Sequence, residues 1–218
     1  MRDAGLLGLR LTLGGYLAAH GAQKLFGALD GPGLDPVAAN FDKGGIRPGK
    51  VMAPLAGASE FIGGLLTVTG LASPVGPVAI AGAMTVATAV HGDKGPLLAK
   101  GGYELSLTYL AGAGALAATG PGRYSLDSLF HFRLPKSLVR LTVLGAAALT
   151  AYNVAGVVRT RRQLASQAAT DAPAAAPTAA EPAVAETSAA APPPEAPTSE
   201  PARAAVSSSE NGAGSAGS

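Results

Sequence analysis

Seven polar side chains interrupt otherwise apolar stretches of this chain: His20, Gln23 and Lys24, then Glu60, then His91, Tyr103 and Glu104. Their types suit the binding of a ligand oxygen and the handling of a proton, since imidazole and ammonium donate and a carboxylate accepts or releases H⁺. His20, Gln23 and Lys24 are spaced i, i+3 and i+4, which puts them on one side of a helix. Gly57, Glu60 and Gly64 are spaced i, i+3 and i+7, so a face of small residues presses Glu60 toward a neighbouring helix. At 1.5 Å per residue, Glu60 lies roughly 12 Å along its helix from Met52, and His20 a similar distance back from Ala28, so their depths match. A lone ionised carboxylate inside a membrane costs about 2.5–3.5 kcal/mol on insertion scales. Glu60 is therefore expected to be protonated, paired or facing a wet cavity, with His20 its nearest partner in depth and Lys24 within reach through its stem.

Two other chemistries are weaker. His20 and His91 come from different helices and would suit bis-histidine haem ligation, but two histidines at one end of a bundle are equally what a polar network places there. Zinc is disfavoured because no HExxH, cysteine pair or histidine-rich tract is present, so no metal is expected. The chain has no cysteine at all, which removes thiol redox catalysis and iron–sulfur ligation; a redox role would borrow a cofactor. His131 falls in a polar link and is expected at the surface. The bland alternative for the whole cluster is an ion-pair network that sets helix register.

The elements that must position these groups are five apolar helices, each near the length of about 20 residues that spans a hydrocarbon layer. They are expected at about Ala4–Ala28, Met52–Leu71, Val75–His91, Tyr103–Thr119 and Leu138–Val158. Residues 61–92 contain no charge and exceed one span, and Ser73-Pro74-Val75-Gly76-Pro77 breaks them into two helices. The loop from Gly27 to Val51 is the longest connection, with a short helix near Val37–Phe41. Short links predict an up-down bundle, in which the end of the first helix, the start of the second, the end of the third and the start of the fourth share a face. All seven polar candidates project onto that face.

Three parts follow: a bundle over 1–130, a linker and additional transmembrane helix over 131–162, and a tail over 163–218 rich in Ala, Pro, Ser and Thr. After Leu164 there is no Leu, Ile, Phe or Tyr, so the tail is expected to be disordered. Up to Arg162 there are 15 Lys and Arg against 8 Asp and Glu, whereas the remainder holds one Arg against six acids. A basic membrane body suits anionic lipid headgroups as partners, and without clustered basic and stacking aromatic residues nucleic acid is excluded. Counting Lys and Arg on the two sides gives nine against six in favour of a cytoplasmic tail. No cleavage site for a signal peptide is read near the N-terminus.

Four stretches together carry a resemblance to a family: His20-Gly21-Ala22-Gln23-Lys24-Leu25-Phe26-Gly27, Glu60-Phe61-Ile62-Gly63-Gly64, Gly102-Tyr103-Glu104, and Gly120-Pro121-Gly122-Arg123-Tyr124-Ser125-Leu126-Asp127. In order and spacing the chain resembles the DoxX family of small bacterial and archaeal membrane proteins over residues 5 to about 130. The resemblance implies an all-α four-helix membrane bundle in a bacterial cell membrane, to which a fifth transmembrane helix and the tail are additions. It also implies association with quinone-linked redox enzymes, because the family takes its name from a subunit associated with thiosulfate:quinone oxidoreductase. His20, Lys24, Glu60, His91 and Glu104 would then line a quinone or small-anion pocket, with His and Lys as donors and Glu handling the proton; no cofactor is intrinsic. On the opposite face the last stretch lies beside Arg10, and an Arg10–Asp127 pair is expected there as a structural contact. Two functions stay open: a quinone-linked or redox-complex subunit with redox enzyme partners, or a non-enzymatic scaffold whose tail recruits partners. Solute transport is weaker, since no inverted repeat or broken helix pair is visible.

Overall fold

The computed structural model describes residues 1–171, and these are helical throughout, with seven α-helices and two short 3₁₀ turns. In chain order they are α1 (Arg2–Phe26), α2 (Leu34–Lys43), α3 (Gly49–Thr69), α4 (Val75–His91), α5 (Glu104–Thr119), the single turn α6 (Leu126–Leu129) and α7 (Lys136–Asp171). The 3₁₀ turns, Gly92–Lys94 and Leu98–Lys100, lie in the α4–α5 loop. Three stretches are long and apolar enough to cross a membrane, namely α3, the continuous run Val75–Lys94, and α7, with mean hydropathies of 1.5, 1.4 and 1.7.

Local signals explain where the helices stop. Gly27 closes α1 and Gly70 closes α3, each in the left-handed conformation that glycine adopts without a Cβ clash. Asp42 Oδ1 accepts from the Gly49 amide at 2.7 Å, so a carboxylate sits where the α3 N-terminus leaves donors unpaired. The one large departure from expectation is α7. Its apolar run ends at Val158, yet the helix continues through Arg159, Arg161 and Arg162 to Asp171. Gln, Leu, Ala and Arg in that segment are strong helix formers, and the first proline comes only at Pro173, so charge ended the apolar stretch without ending the helix. Residues 163–171 therefore belong to α7 and not to the tail; the expectation of disorder for the rest of the tail falls outside the described residues.

Close backbone contacts fix the packing. A Cβ placed on Gly14 would meet the Gly64 carbonyl at 2.7 Å, and one on Gly21 would meet the Gly57 carbonyl at 2.7 Å, so α1 and α3 run antiparallel with their backbones nearly touching. On the other side of α3, a Cβ on Gly76 would meet the Gly63 carbonyl, again at 2.7 Å, which seats α4 antiparallel to α3. Thr88 Oγ1 donates to Ser106 Oγ at 3.0 Å between α4 and α5. α7 runs parallel to α4, with Gly82 beside Thr150 and Gly92 beside Arg161. Leu13, Leu17, Ile80, Met84 and Ala113 form the shared core of α1, α4 and α5.

A second, smaller cluster of Val37, Ala38 and Ala53 joins α2 to α3, and many large apolar residues elsewhere face outward. Leu11, Tyr16, Ile62, Leu65, Leu107, Leu141 and Leu144 are all exposed, spread over α1, α3, α5 and α7. Such an apolar exterior on helices of this length suits a lipid surround.

The glycine contacts predict a sharp contrast between substitutions. Gly64→Ala, whose new methyl would stand 2.6 Å from the Gly14 carbonyl, should lower stability in detergent by about 1–3 kcal/mol as α1 and α3 are forced apart. Gly15→Ala, on α1 next to Gly14 but with nothing within 4 Å, should leave the melting temperature unchanged or raise it slightly.

Candidate functional site

A cavity of about 450 Å³ opens between α3, α4 and α7. Ala56, Ala83, Val86, Ala87, Ala146 and Leu149 make its walls apolar, and Phe41 and Ile46 contribute from α2 and the loop after it. At one side stands an ion pair. Lys24 Nζ on α1 donates to Glu60 Oε1 on α3 in a short charge-assisted hydrogen bond. The Glu60 side chain is 3% exposed and that of Lys24 27% exposed, so the carboxylate is inside the protein and the ammonium at its edge. Gly57, Glu60 and Gly64 are all buried against neighbouring helices, as their spacing requires.

Of the three outcomes open to Glu60, the structure takes pairing, and with Lys24 in place of His20. Helical phase gives the reason. The buried stripe of α1 is Arg10, Leu13, Gly14, Leu17 and Gly21. At about 100° per residue, Lys24 lies roughly 40° from the Arg10 line, His20 roughly 80° and Gln23 roughly 140°. His20 accordingly is exposed, with Nδ1 3.2 Å from Gln23 Oε1, and Gln23 Nε2 reaches the Leu29 carbonyl at 3.4 Å. Neither lines the cavity.

His91 does line it, at the C-terminal end of α4. Its Nδ1 lies 2.9 Å from the Gly101 carbonyl. A carbonyl only accepts, so Nδ1 carries a proton and Nε2 is the ring nitrogen left free of this bond. Tyr103 and Glu104 serve the α4–α5 loop. Glu104 is exposed and its Oε2 accepts from the Leu98 amide at 3.0 Å, while the Tyr103 and Glu104 amides bond to the Gly95 and Pro96 carbonyls. The cavity thus gathers Lys24, Glu60 and His91 and leaves His20, Gln23, Tyr103 and Glu104 outside. Among the described residues no three His, Cys, Asp or Glu side chains converge as metal ligands.

One cavity residue escaped the sequence reading. Asn153 on α7 is 6% exposed and lines the same space as Glu60. Its Nδ2 donates to the Leu149 carbonyl at 2.8 Å, one turn back on its own helix. Glu60 Oε2 and Asn153 Oδ1 are the two buried side-chain oxygens without a hydrogen-bond partner among the described residues. An amide side chain inside the uncharged run 141–158 was the available signal, and counting charges alone passes over it. α7 is held to this face by Tyr152, whose hydroxyl donates to the Arg47 carbonyl at 2.9 Å, and by Arg161, which donates to the Val90 carbonyl at 2.8 Å and Asp93 at 2.7 Å.

At the opposite end, the expected Arg10–Asp127 ion pair is absent. Arg10 is 3% exposed and donates instead to four backbone carbonyls: Thr67 at 3.0 Å, Val68 at 2.8 Å, Pro121 at 2.6 Å and Tyr124 at 2.9 Å. Asp127 accepts from the amides of Ala72 and Ser73, each at 2.8 Å. Both charges are drawn to the same place because the α3 C-terminus leaves carbonyls unpaired and the following turn leaves amides unpaired. The sequence correctly brought the two residues to one end, but backbone groups, and not each other, are their partners. Arg10→Lys should therefore cost about 2–4 kcal/mol in detergent unfolding, because one ammonium cannot replace a fork that reaches four carbonyls. A simple charge pair would tolerate that change, so an unaltered melting temperature would overturn the assignment.

Comparison with known families gives a match over the part of the chain that carries Lys24 and Glu60. The DoxX family model matches residues 5–92. No curated protein and no solved structure matches the chain. The matched region spans α1 to α4 and includes the His20–Gly27 and Glu60–Gly64 stretches, whereas Gly102–Glu104 and Gly120–Asp127 lie beyond it. Residues 5–92, which run from α1 to α4 and include Lys24, Glu60 and His91, carry a domain of the DoxX family of membrane proteins.

Proposed function

We propose that this chain is a multi-pass membrane subunit that holds a quinone-class ligand in the α3–α4–α7 cavity and works with a redox enzyme partner. The observation that carries the proposal is the pairing of an apolar cavity of about 450 Å³ with a buried, half-satisfied carboxylate at its side. Small-molecule sites are commonly about 300–1,000 Å³, mostly apolar, with a few placed polar groups that set orientation. The residues present fit such a ligand: Ala, Val and Leu face its ring and tail, and Lys24 and Glu60 meet its oxygen. When bound, a quinone supplies a carrier of two electrons and two protons that dissolves in the hydrocarbon layer.

The roles of the chain's own groups follow from their partners. Lys24 has two ammonium hydrogens beyond the one given to Glu60, so it can donate to a ligand oxygen. Glu60 holds an unpartnered Oε2, where a proton can be received. The Glu60 carboxylate is held inside the protein, whereas the Lys24 ammonium reaches its edge. The chain has no cysteine for thiol redox chemistry, which is why electrons are assigned to a partner. In the membrane we place five helices across the bilayer and the C-terminal end of α7 on the cytoplasmic side, following the nine-to-six excess of Lys and Arg.

A scaffold without ligand is the second reading, and the Arg10 network favours it by showing that this bundle does use buried charge for structure alone. Two substitutions separate the readings. Ala56→Phe fills the cavity and keeps both members of the ion pair, and Glu60→Gln keeps shape while removing the carboxylate. Both should weaken binding of a short-chain ubiquinone analogue to the protein in nanodiscs by tenfold or more. Only Glu60→Gln should also lower stability, by about 1–3 kcal/mol, since it leaves Lys24 without its counter-charge. Unchanged binding in both variants would leave the scaffold standing. Orientation is tested by protease treatment of intact spheroplasts: a C-terminal epitope tag should survive, and its loss would reverse the assignment.

A further inference from the structure

We infer that the cavity selects a ligand that donates two hydrogen bonds, so that within the quinone class proposed above, on which this inference rests, it prefers the dihydroxy, reduced form. The two unpartnered buried oxygens, Glu60 Oε2 and Asn153 Oδ1, belong to residues that line one cavity from two of its helices, α3 and α7. Both atoms are acceptors. Glu60 gives its other oxygen to Lys24, and a carboxylate in an ion pair has no hydrogen to offer. The orientation of the Asn153 amide is set by its neighbour: the Leu149 carbonyl at 2.8 Å only accepts, so the nitrogen must face it and the oxygen must be the free end.

A buried acceptor without a donor carries a desolvation cost, and a ligand that brings the donor removes it. A quinone carbonyl brings none. It can accept from Lys24, but Lys24 is part-exposed and its spare hydrogens can be met from outside the cavity, so that bond adds little selectivity. A hydroxyl does both: it accepts from the Lys24 ammonium and donates to Glu60 Oε2. A second hydroxyl on the same ring would donate to Asn153 Oδ1. The preference is thus written by two atoms on two helices, one of them, α7, beyond the residues matched by the family model.

Asn153 also has no structural task that would explain its burial. Its single hydrogen bond goes to a helix carbonyl of its own chain segment, which bonds along the helix without it. Asn153→Leu keeps the volume, removes the unmet acceptor and should leave the melting temperature unchanged or higher.

The test uses the full-length protein in nanodiscs under anaerobic conditions, with empty nanodiscs as the partition control. Three probes of one shape are titrated: menadiol, menadione and 1,4-dimethoxy-2-methylnaphthalene, which keeps the ring and oxygens but donates nothing. Menadiol should bind at least tenfold more tightly than either of the others, and Asn153→Leu should cut that ratio to threefold or less by weakening menadiol alone. Equal binding of menadiol and menadione, or a preference that survives Asn153→Leu, overturns this inference while leaving the quinone reading intact. Failure of all three probes to bind above the empty-disc control overturns both.

Discussion

The near contact of α1 and α3 at Gly14, Gly21, Gly57 and Gly64 determines where every other polar group in the bundle can go. With no side chains between the two backbones, the helices are locked in rotation, and residues on the contact line are committed to the interior. Arg10 and Lys24 lie along that line at opposite ends of α1, and Glu60 and Thr67 answer them from α3. Each half turn of α1 away from it would exchange a buried charge for an exposed one. Membrane helices lack a hydrophobic force to pull them together once inserted, so van der Waals contact through small residues has to hold this register.

Much of this was legible in the sequence. Five long helices, the break at Ser73–Pro77 and the common face of the polar cluster all followed from apolar run length, proline and short links. Val75–His91 is the same in sequence and structure, because a proline-rich turn at one end and charged Asp93 beyond the other are unambiguous signals. Two readings departed from the structure, each for its own reason. Placing His20 beside Glu60 used depth along the helix without helical phase, and depth alone cannot distinguish residues about 40° and 80° from a contact line. Expecting Arg10 to pair with Asp127 counted side-chain charges and left out the backbone, although a helix end offers several unpaired carbonyls to any cation near it. Asn153 and the extension of α7 to Asp171 were missed for a third reason, that charge was used as a proxy for polarity and for helix ends.

α7 changes what the matched region can do. Without it, α3 and α4 would present Glu60, Ala83 and Val86 on an open face, since α4 is the helix on which both α3 and α7 pack. With it, that face becomes the floor of a cavity whose third wall is supplied from beyond the residues matched by the family model. The anchors of α7 are concentrated at one end, in Tyr152 and Arg161, which bond to the loop before α3 and to the C-terminus of α4. Its first turns carry exposed Leu138, Leu141 and Leu144 instead, so the cavity is pinned near Asn153 and least tied at the far end. An apolar ligand of the kind proposed would enter most easily where those anchors are missing.

The two ends of the bundle solve the same problem in different ways, and the difference is what argues for function at one of them. At the Arg10 end a guanidinium and a carboxylate are both met by backbone groups, from the end of α3 and the turn after it and, for Arg10, also from the loop after α5, and neither is left wanting a partner. At the Lys24 end, Glu60 is bonded through one oxygen only, and Asn153, one helix away, is likewise half-bonded. Burial of polar atoms without partners is costly in any protein and more so where water is scarce, so an arrangement that keeps two of them on one cavity is costly unless a third molecule completes it. Had both ends served packing alone, the chemistry already used at Arg10, a long side chain spread over exposed backbone carbonyls, was open to the other end as well.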